Sequence, residues 1–288
     1  MKALVTGGLG FVGSHLVDNL IQEGHEVSVI DNLRSESSSR SYIRKEVKYF
    51  INDIREINTY KFLNKKFDII YHLGALARIQ PSFDDPLEYL KIDTMGTAEI
   101  CEFARISSAK VVYAGSSSAY GGPMLNPYAF AKYTGEQICK MYNEVYNTST
   151  VIARFFNVYG KRQPVTGPYP TVVGIFENQM INNLPLTVIG TGDQRRDFTH
   201  VSDIVSGLVE LGKNNWNGEV FNLGSGKNYS INELANMFGG KVNYISSRPG
   251  EANTTLADYG PMLDHTGWSP KVDLKDYVEN WKNENIHR

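Results

Sequence analysis

The chain has 288 residues, enough for one large α/β domain or for a nucleotide-binding domain with a smaller partner. Its formal net charge of −2 gives no electrostatic reason to expect nucleic acid or an acidic membrane surface as a partner. No apolar run reaches the length of a membrane helix or a signal-peptide core, so we expect a soluble, cytoplasmic protein. Cys101 and Cys139 form no C-x-x-C pair and fall in predicted helices, so we expect buried, reduced thiols.

Strands alternate with helical patterns over the first half of the chain, which predicts a parallel sheet with helices on both faces. The strands are predicted at residues 3–6, 27–30, 47–51, 68–73, 110–114 and 151–155, with helices at 11–24, 87–106 and 128–146. Beyond about residue 160 the alternation is less regular. We predict helices there at 171–182, 202–211, 231–238 and 274–282, and strands at 186–189 and 220–223.

A glycine-rich turn follows the first predicted strand. Gly8, Gly10 and Gly13 satisfy the G-x-G-x-x-G pattern, and Gly7 extends it, directly before a predicted helix. Such glycines allow a tight turn and a close approach of the backbone to a pyrophosphate, whose charge the helix N-terminus favours. In this strand–turn–helix context the pattern predicts a dinucleotide site.

An acidic residue ends the second predicted strand. Asp31 lies 18 residues after Gly13 and can accept hydrogen bonds from the ribose hydroxyls of a dinucleotide. A carboxylate there would repel a 2′-phosphate, so the sequence favours NAD over NADP. Arg34 nearby leaves NADP as the minority alternative.

A tyrosine and a lysine lie one helical turn apart in the third predicted helix. Lys132 and an oxidised nicotinamide would lower the pKa of the Tyr128 phenol, normally about 10, and let it accept a hydroxyl proton. Ser116, Ser117 and Ser118 follow a predicted strand at the carboxyl edge of the sheet, where ligands bind, and one of them could hydrogen-bond a substrate oxygen. Taken alone, the two patterns also fit a surface helix and a polar loop.

Together the motifs resemble, in order and over nearly the whole chain, the extended short-chain dehydrogenases/reductases of the nucleotide-sugar epimerase group. The similarity is greatest to the UDP-glucose (UDP-galactose) 4-epimerases. The matching stretches are TGGLGFVGSHL, VIDNL, HLGALA, SSSAYG, NPYAFAK, RFFNVYGKRQ, GTGDQRRDFTHVSD, FNLGSG and RPGE.

The resemblance implies roles for the residues at matching positions. Tyr128 would be the acid/base, Lys132 would hold the nicotinamide ribose, and Ser116 would be the catalytic serine. The NAD-binding residues would be Gly7, Gly10, Phe11, Val12, Gly13, Asp31, Asn32, Asp53, Ile54, Leu73, Gly74, Ala75, Tyr128 and Lys132. The residues that bind the nucleotide sugar would be Ser116, Ser117, Asn157, Arg196, Arg248 and Thr255. No metal site is implied.

The expected fold is a doubly wound parallel sheet of the Rossmann type with a smaller mixed α/β domain. Residues 1–160, with returning segments near 195–225, would bind NAD, and residues 161–194 and 226–288 would bind the nucleotide sugar. The family pairs its helices near 87–106 and 128–146 across a subunit interface, which implies a homodimer.

The resemblance implies C4 epimerisation of a UDP-sugar through a transient 4-keto sugar, with NAD regenerated in each cycle. A bulky Tyr at the position of Thr255 confines enzymes of this group to UDP-glucose and UDP-galactose, so the small Thr255 predicts that the N-acetyl sugars are also accepted. Sugar 4,6-dehydratases carry acids where this chain has Ser117 and Ser118, which argues against dehydration.

Several alternatives stay open at this point. A UDP-uronate epimerase or decarboxylase remains possible, because a carboxylate-binding arginine such as Arg78 cannot be placed from sequence. A net dehydrogenase, or an NAD-binding protein without activity, is less favoured.

Three departures from the family pattern affect the site. Asp93 replaces the usual Asn, Gly115 replaces a serine, and only residues 122–126 remain of a longer acidic segment.

Overall fold

A computed structural model describes residues 1–35, 38–59, 66–167 and 170–286. Seven parallel strands form one large sheet in the order β10-β6-β5-β4-β1-β2-β3. The strands are β1 (Lys2–Thr6), β2 (Glu26–Ile30), β3 (Lys48–Phe50), β4 (Ile69–His72), β5 (Lys110–Ser116), β6 (Thr150–Phe155) and β10 (Asn217–Leu223).

Helices cover both faces of this sheet, so its central strands are apolar throughout rather than alternating. Ile69, Ile70 and Tyr71 of β4 are fully buried. One face carries α1 (Phe11–Gln22) and α8 (Val201–Lys213), whose leucines form a core with β1 and β2. The other carries α4 (Gly96–Ser107) and α6 (Pro127–Tyr146), which bury Cys101 and Cys139 as free thiols.

The helix predicted at residues 87–106 consists of three joined segments. Helix α3 (Pro86–Tyr89) leads into a π-helical turn (Leu90–Met95), which continues into α4. Two short helices, α2 (Gln80–Asp84) and α5 (Ser118–Gly121), lie near the ends of β4 and β5 and were not predicted.

A second group of elements packs around its own apolar core. Strand β9 pairs in parallel with β7 and antiparallel with β11, while β8 pairs in parallel with β12. The strands are β7 (Asn157–Tyr159), β8 (Leu186–Ile189), β9 (Arg195–His200), β11 (Asn228–Ser230) and β12 (Val242–Ile245). The helices of this core are α7 (Val172–Ile181), α9 (Ile231–Phe238) and α11 (Leu274–Asn285), whereas α10 (Gly260–Thr266) buries Met262 in the core of the large sheet.

The predicted fold class, a doubly wound parallel sheet with further mixed α/β structure, is confirmed. The later part of the chain returns to the large sheet through β10, whereas β9 belongs to the three-stranded sheet. The division into two domains stays a prediction. Over the described parts of the chain, no helix combines the length and apolar character needed to cross a membrane.

Candidate active site at the carboxyl edge of the sheet

A cavity of about 930 Å³ opens where the parallel strands end at their carboxyl edge. All the residues for which the sequence predicts a cofactor or substrate role line this one cavity. They are Gly7, Gly10, Phe11, Val12, Gly13, Asp31, Asn32, Asp53, Ile54, Leu73, Gly74, Ala75, Ser116, Ser117, Tyr128, Lys132, Asn157, Arg196, Arg248 and Thr255. The fold therefore brings them together from widely separated parts of the sequence.

The glycine-rich turn is built for close backbone contact. Gly7 has a φ of +69°, and a Cβ at Gly13 would lie 2.1 Å from the Gly7 carbonyl oxygen, so neither position accepts a side chain without a shift of the backbone. Gly10 is the N-cap residue that precedes α1, so no side chain caps the helix. The first turn of α1, whose residues the structure describes, contains no acidic residue. Its N–H groups and partial positive charge remain for a phosphate, so the residues fit the diphosphate of NAD.

Asp31 is tied to the turn it follows. Its carboxylate accepts hydrogen bonds from the Leu9 N–H at 3.0 Å and the Leu33 N–H at 2.8 Å. Burial raises the pKa of Asp31, and these two hydrogen bonds oppose that shift. The same hydrogen bonds hold the carboxylate at the cavity wall, as the role expected beside a ribose requires.

Arg34, because of which NADP remained the minority alternative, forms an ion pair with another side chain. Its guanidinium pairs with Glu88, which also lies 3.5 Å from Arg55. Arg55 in turn pairs with Asp53 at 2.8 Å and lowers the pKa of that carboxyl. The arginine side chain therefore already has a carboxylate partner, and the arrangement agrees with NAD rather than NADP.

Tyr128 and Ser116 are in direct contact. The Tyr128 hydroxyl donates a hydrogen bond to Ser116 Oγ at 3.2 Å, and the Ser118 hydroxyl donates to the same oxygen at 2.9 Å. Lys132 is buried one turn further along α6, with Nζ 4.4 Å from the centre of the Tyr113 ring. The three side chains proposed for chemistry therefore line the cavity from two adjacent elements, the end of β5 and the start of α6.

The pKa of Tyr128 is raised in this chain. The sequence predicts the opposite direction, because Lys132 and an oxidised nicotinamide would lower it. Burial is the main cause, and the hydrogen bond with Ser116 opposes it. Asp93 raises this pKa further, while Arg78 lowers it. Arg78, which could not be placed from the sequence, thus lines the cavity within electrostatic reach of the proposed base.

The opposite side of the cavity carries the residues expected to bind the nucleotide sugar. Arg196 is nine-tenths buried and pairs with Glu251 at 3.2 Å, while Arg248 is exposed. Thr255 is buried and accepts a hydrogen bond from the Asp197 N–H through its hydroxyl at 3.3 Å. Its side chain is thereby held against β9.

The shortened segment at residues 122–126 still connects to the other side of the cavity. Asn126 caps α6 by accepting from the Ala129 N–H at 2.7 Å, and it donates to the Gly250 carbonyl at 2.9 Å. Gln80 donates to the neighbouring Pro249 carbonyl at 2.9 Å. These two amides, which the sequence analysis did not single out, hold the segment that carries Arg248.

Within the described residues, no group of three or more His, Cys, Asp or Glu side chains is placed to hold a metal ion. Hydrogen-bonding groups, charged side chains and the partly buried phenol of Tyr128 line the cavity.

Comparisons with known proteins agree with this geometry. The model of the NAD dependent epimerase/dehydratase family matches residues 3–224. A putative UDP-glucose 4-epimerase of Methanocaldococcus jannaschii is 34% identical over 98% of both chains.

The UDP-glucose 4-epimerase of Thermotoga maritima, solved with UDP-glucose, superposes with a TM-score of 0.92 at 27% identity and covers 99% of this chain and 100% of its own. The UDP-glucuronic acid 4-epimerase of Bacillus cereus, solved with UDP-glucuronic acid and NAD, has a TM-score of 0.89 at 29% identity and 99% coverage of both chains.

Proposed function

Because the chain belongs to the NAD-dependent epimerase/dehydratase family, we propose that it catalyses the C4 epimerisation of a UDP-sugar. The observation that carries the proposal is the hydrogen bond between Tyr128 and Ser116 beside the buried Lys132, in a cavity that the glycine-rich turn also lines. Bound NAD supplies a reversible hydride acceptor for C4 of the sugar.

The proposed reaction needs one side chain that first accepts a proton and later returns it. Ionised Tyr128 accepts the proton of the C4 hydroxyl as the C4–H hydride leaves, which yields a 4-keto sugar. Ser116 holds the sugar oxygen beside the phenol. Return of hydride to the other face of C4 and of the proton from Tyr128 completes the epimerisation, so no reducing equivalent is gained or lost.

The raised pKa of Tyr128 sets a requirement on this mechanism. A positive charge must lower that pKa before the phenol can act as a base near neutral pH. Arg78, which lowers this pKa, and Lys132 both line the cavity, and an oxidised nicotinamide bound there would add a further positive charge. We therefore assign proton transfer to the cofactor-bound form.

The position of Thr255 supports acceptance of N-acetylated sugars. Its small side chain is buried and directs its hydroxyl to the backbone of β9, which leaves room in the cavity for a larger group at C2 of the sugar. We propose that UDP-GlcNAc and UDP-GalNAc are substrates alongside UDP-glucose and UDP-galactose.

A second candidate function follows from Arg78. Its guanidinium acts on the pKa of Tyr128 and lines the cavity, so a cation faces the reacting end of the site. A C6 carboxylate would match that cation, as in a UDP-uronate. This favours UDP-glucuronate 4-epimerisation, or its decarboxylation, as the alternative reaction.

The function is tested by offering the purified protein UDP-glucose, UDP-GlcNAc and UDP-glucuronate separately and identifying products by NMR. We expect the C4 epimer of at least one sugar without a net change in nicotinamide absorbance. Turnover of UDP-glucose but not UDP-GlcNAc would remove the proposal for Thr255, and release of CO₂ from UDP-glucuronate would favour decarboxylation.

A tyrosine substitution tests the assigned base. Tyr128→Phe should lower kcat at least about 100-fold while NAD stays bound, because it removes only the proton acceptor. Tyr133→Phe, in the same helix but away from the cavity lining, is the matched control and should keep the activity of the unchanged protein. Activity retained in Tyr128→Phe would refute the assignment.

A further inference from the structure

The π-helical turn between α3 and α4 lies directly beside the cavity. Ile92 of this turn lines the cavity wall, and Asp93 follows it. A π turn is rare and frequently marks a functional site, because it accommodates an extra residue in the helix and changes the direction of its side chains.

Asp93 is a buried carboxyl with only one of its two oxygens satisfied. Its Oδ1 accepts a hydrogen bond from the Leu76 N–H at 2.8 Å, in the segment after β4 that also lines the cavity. Its Oδ2 is buried without a hydrogen-bond partner among the residues that the structure describes. Such an oxygen is costly unless a nearby charge compensates it.

The charged partner comes from α6. Lys132 is buried in α6, which packs against the π-helical turn. Burial lowers the pKa of Lys132, and its electrostatic interaction with Asp93 opposes that shift and lowers the pKa of the carboxyl. Burial acts more strongly on the carboxyl and raises the pKa of Asp93 to about 7. The charge of Asp93 therefore changes within the physiological pH range.

In the chain without cofactor, two tyrosines and a histidine near Asp93 are uncharged near neutral pH. Burial raises the pKa of Tyr113 and of Tyr128, and Asp93 raises both further, so both are protonated. Burial lowers the pKa of His72 to about 3, and this ring is linked through the Thr97 hydroxyl to the backbone carbonyl of Asp93 and not to its carboxyl.

Two further groups act on Lys132 from its other side. Cys139 has a raised pKa, and Glu136 is paired with Arg154 at 2.6 Å. Asp93 is therefore the carboxyl whose charge responds to pH at this end of the cavity.

We propose that Asp93 is a positioning residue which, through Lys132, makes the site favour the oxidised cofactor over the reduced one. NAD⁺ carries a positive charge on the nicotinamide ring that NADH lacks, so the ionised carboxylate of Asp93 stabilises NAD⁺ selectively. When Asp93 is protonated, the cationic Lys132 is no longer balanced and the preference declines. The proposal rests on the location of the nicotinamide ribose at Lys132, which is part of the proposed function.

Binding of the two cofactor forms tests this without any sugar. Tyr128→Phe protein is used, because a phenol that ionises only beside the oxidised cofactor would itself make the preference pH-dependent. It is equilibrated with an equimolar mixture of NAD⁺ and NADH, bound cofactor is separated by rapid gel filtration, and both forms are quantified by chromatography. We expect the bound NAD⁺:NADH ratio to fall roughly tenfold from about pH 8 to about pH 6, the effect of one unit charge within about 10 Å at the effective dielectric of a protein.

Asp93→Asn added to Tyr128→Phe should give a ratio near the low-pH value of Tyr128→Phe, independent of pH. Glu177→Gln in the same background is the matched control, because Glu177 is also a buried carboxyl with a pKa raised by burial but does not line the cavity. This control should keep the pH dependence of Tyr128→Phe.

Two results overturn the proposal: a ratio that does not change with pH in Tyr128→Phe, or the same pH dependence after Asp93→Asn is added to it. The first of these needs no change at Asp93, so the proposal can fail even if the variant with Asp93→Asn does not fold. Since no sugar is present, inactivity towards UDP-sugars refutes the proposed function and leaves this result unaffected.

Discussion

Gly115 shows how a single residue adapts the site to its surroundings. A Cβ at this position would lie 2.8 Å from Ile152 Cγ2 and 2.9 Å from Glu136 Oε1. Glu136 is fully buried, and its ion pair with Arg154 keeps its charge compensated beneath the serine run. The missing side chain at Gly115 therefore leaves space for a buried ion pair, where the family usually has a serine.

Restoring that serine should destabilise the protein. Gly115→Ser forces Ile152 or the Glu136 carboxylate to move, and we expect it to lower the free energy of unfolding by about 1–3 kcal/mol, the usual cost of overpacking. Urea denaturation measures this. Gly260→Ser is the control, because among the described residues only Asp258 Oδ1 lies within 4 Å of a Cβ there. Equal stability of the Gly115→Ser variant and the unchanged protein would contradict the expectation.

At the residue scale, the sequence predicted which side chains are neighbours but not the electrostatic environment that sets their pKa. The motifs identified Tyr128, Lys132 and Ser116 correctly as neighbours of one cavity, although their roles stay proposals. They did not indicate that Tyr128 is buried deeply enough to raise its pKa, or that Arg78 is the arginine that opposes the shift. Both effects depend on distances between parts of the chain that no local pattern encodes.

At the scale of the element, α6 carries the chemistry and one residue controls its beginning. Asn126 accepts from the Ala129 N–H, which satisfies the first turn of α6, and donates to the Gly250 carbonyl of the segment that carries Arg248. One side chain thus connects the proposed catalytic helix to the proposed binding side of the cavity.

Two substitutions separate these functions of Asn126. Asn126→Ala removes both hydrogen bonds and should cost about 1 kcal/mol of stability, the typical value of a helix cap, together with a higher KM for the UDP-sugar. Asn126→Asp keeps the cap but loses the donor to Gly250, so it should raise KM without reducing the melting temperature. Steady-state kinetics and thermal unfolding measure the two effects. An unchanged KM in both variants would show that the connection to Gly250 does not position the substrate.

At the scale of the whole molecule, α4 and α6 leave apolar residues exposed on the outer face of the protein. Ile106 is 64% exposed and Tyr146 50% exposed, and Arg105 lies over the Tyr146 ring at 5.4 Å, so the ends of the two helices are side by side. Exposed apolar side chains grouped on adjacent helices are typical of a subunit interface. We propose that these helices pair with those of a second copy.

Sedimentation or light scattering tests the homodimer. The unchanged protein should have the mass of two chains, and Ile106→Glu should yield monomers with the same far-UV circular dichroism, because it buries a charge in the interface. Ile181→Glu is the control, because Ile181 is also exposed, at 55%, but lies on α7, and this variant should remain dimeric. A monomeric unchanged protein would make this prediction wrong.

The sequence determined the order of strands and helices in the first half of the molecule, because apolar periodicity and glycine-rich turns are local signals. The predicted strands at 3–6, 27–30 and 110–114 lie within β1, β2 and β5. The short strands β7, β9, β11 and β12 were missed, since their partners are far along the chain and their short sequences carry little alternation of apolar and polar residues.

By itself the sequence determined the parallel sheet, the dinucleotide turn and some of the residues that line the cavity. Only the tertiary structure decided the charges within that cavity: the raised pKa of Tyr128, the engagement of Arg34 by Glu88 and the buried carboxyl of Asp93. The physical reason is that burial and electrostatic interaction depend on where distant segments meet. A motif specifies which groups are present, and packing specifies the environment that sets their protonation.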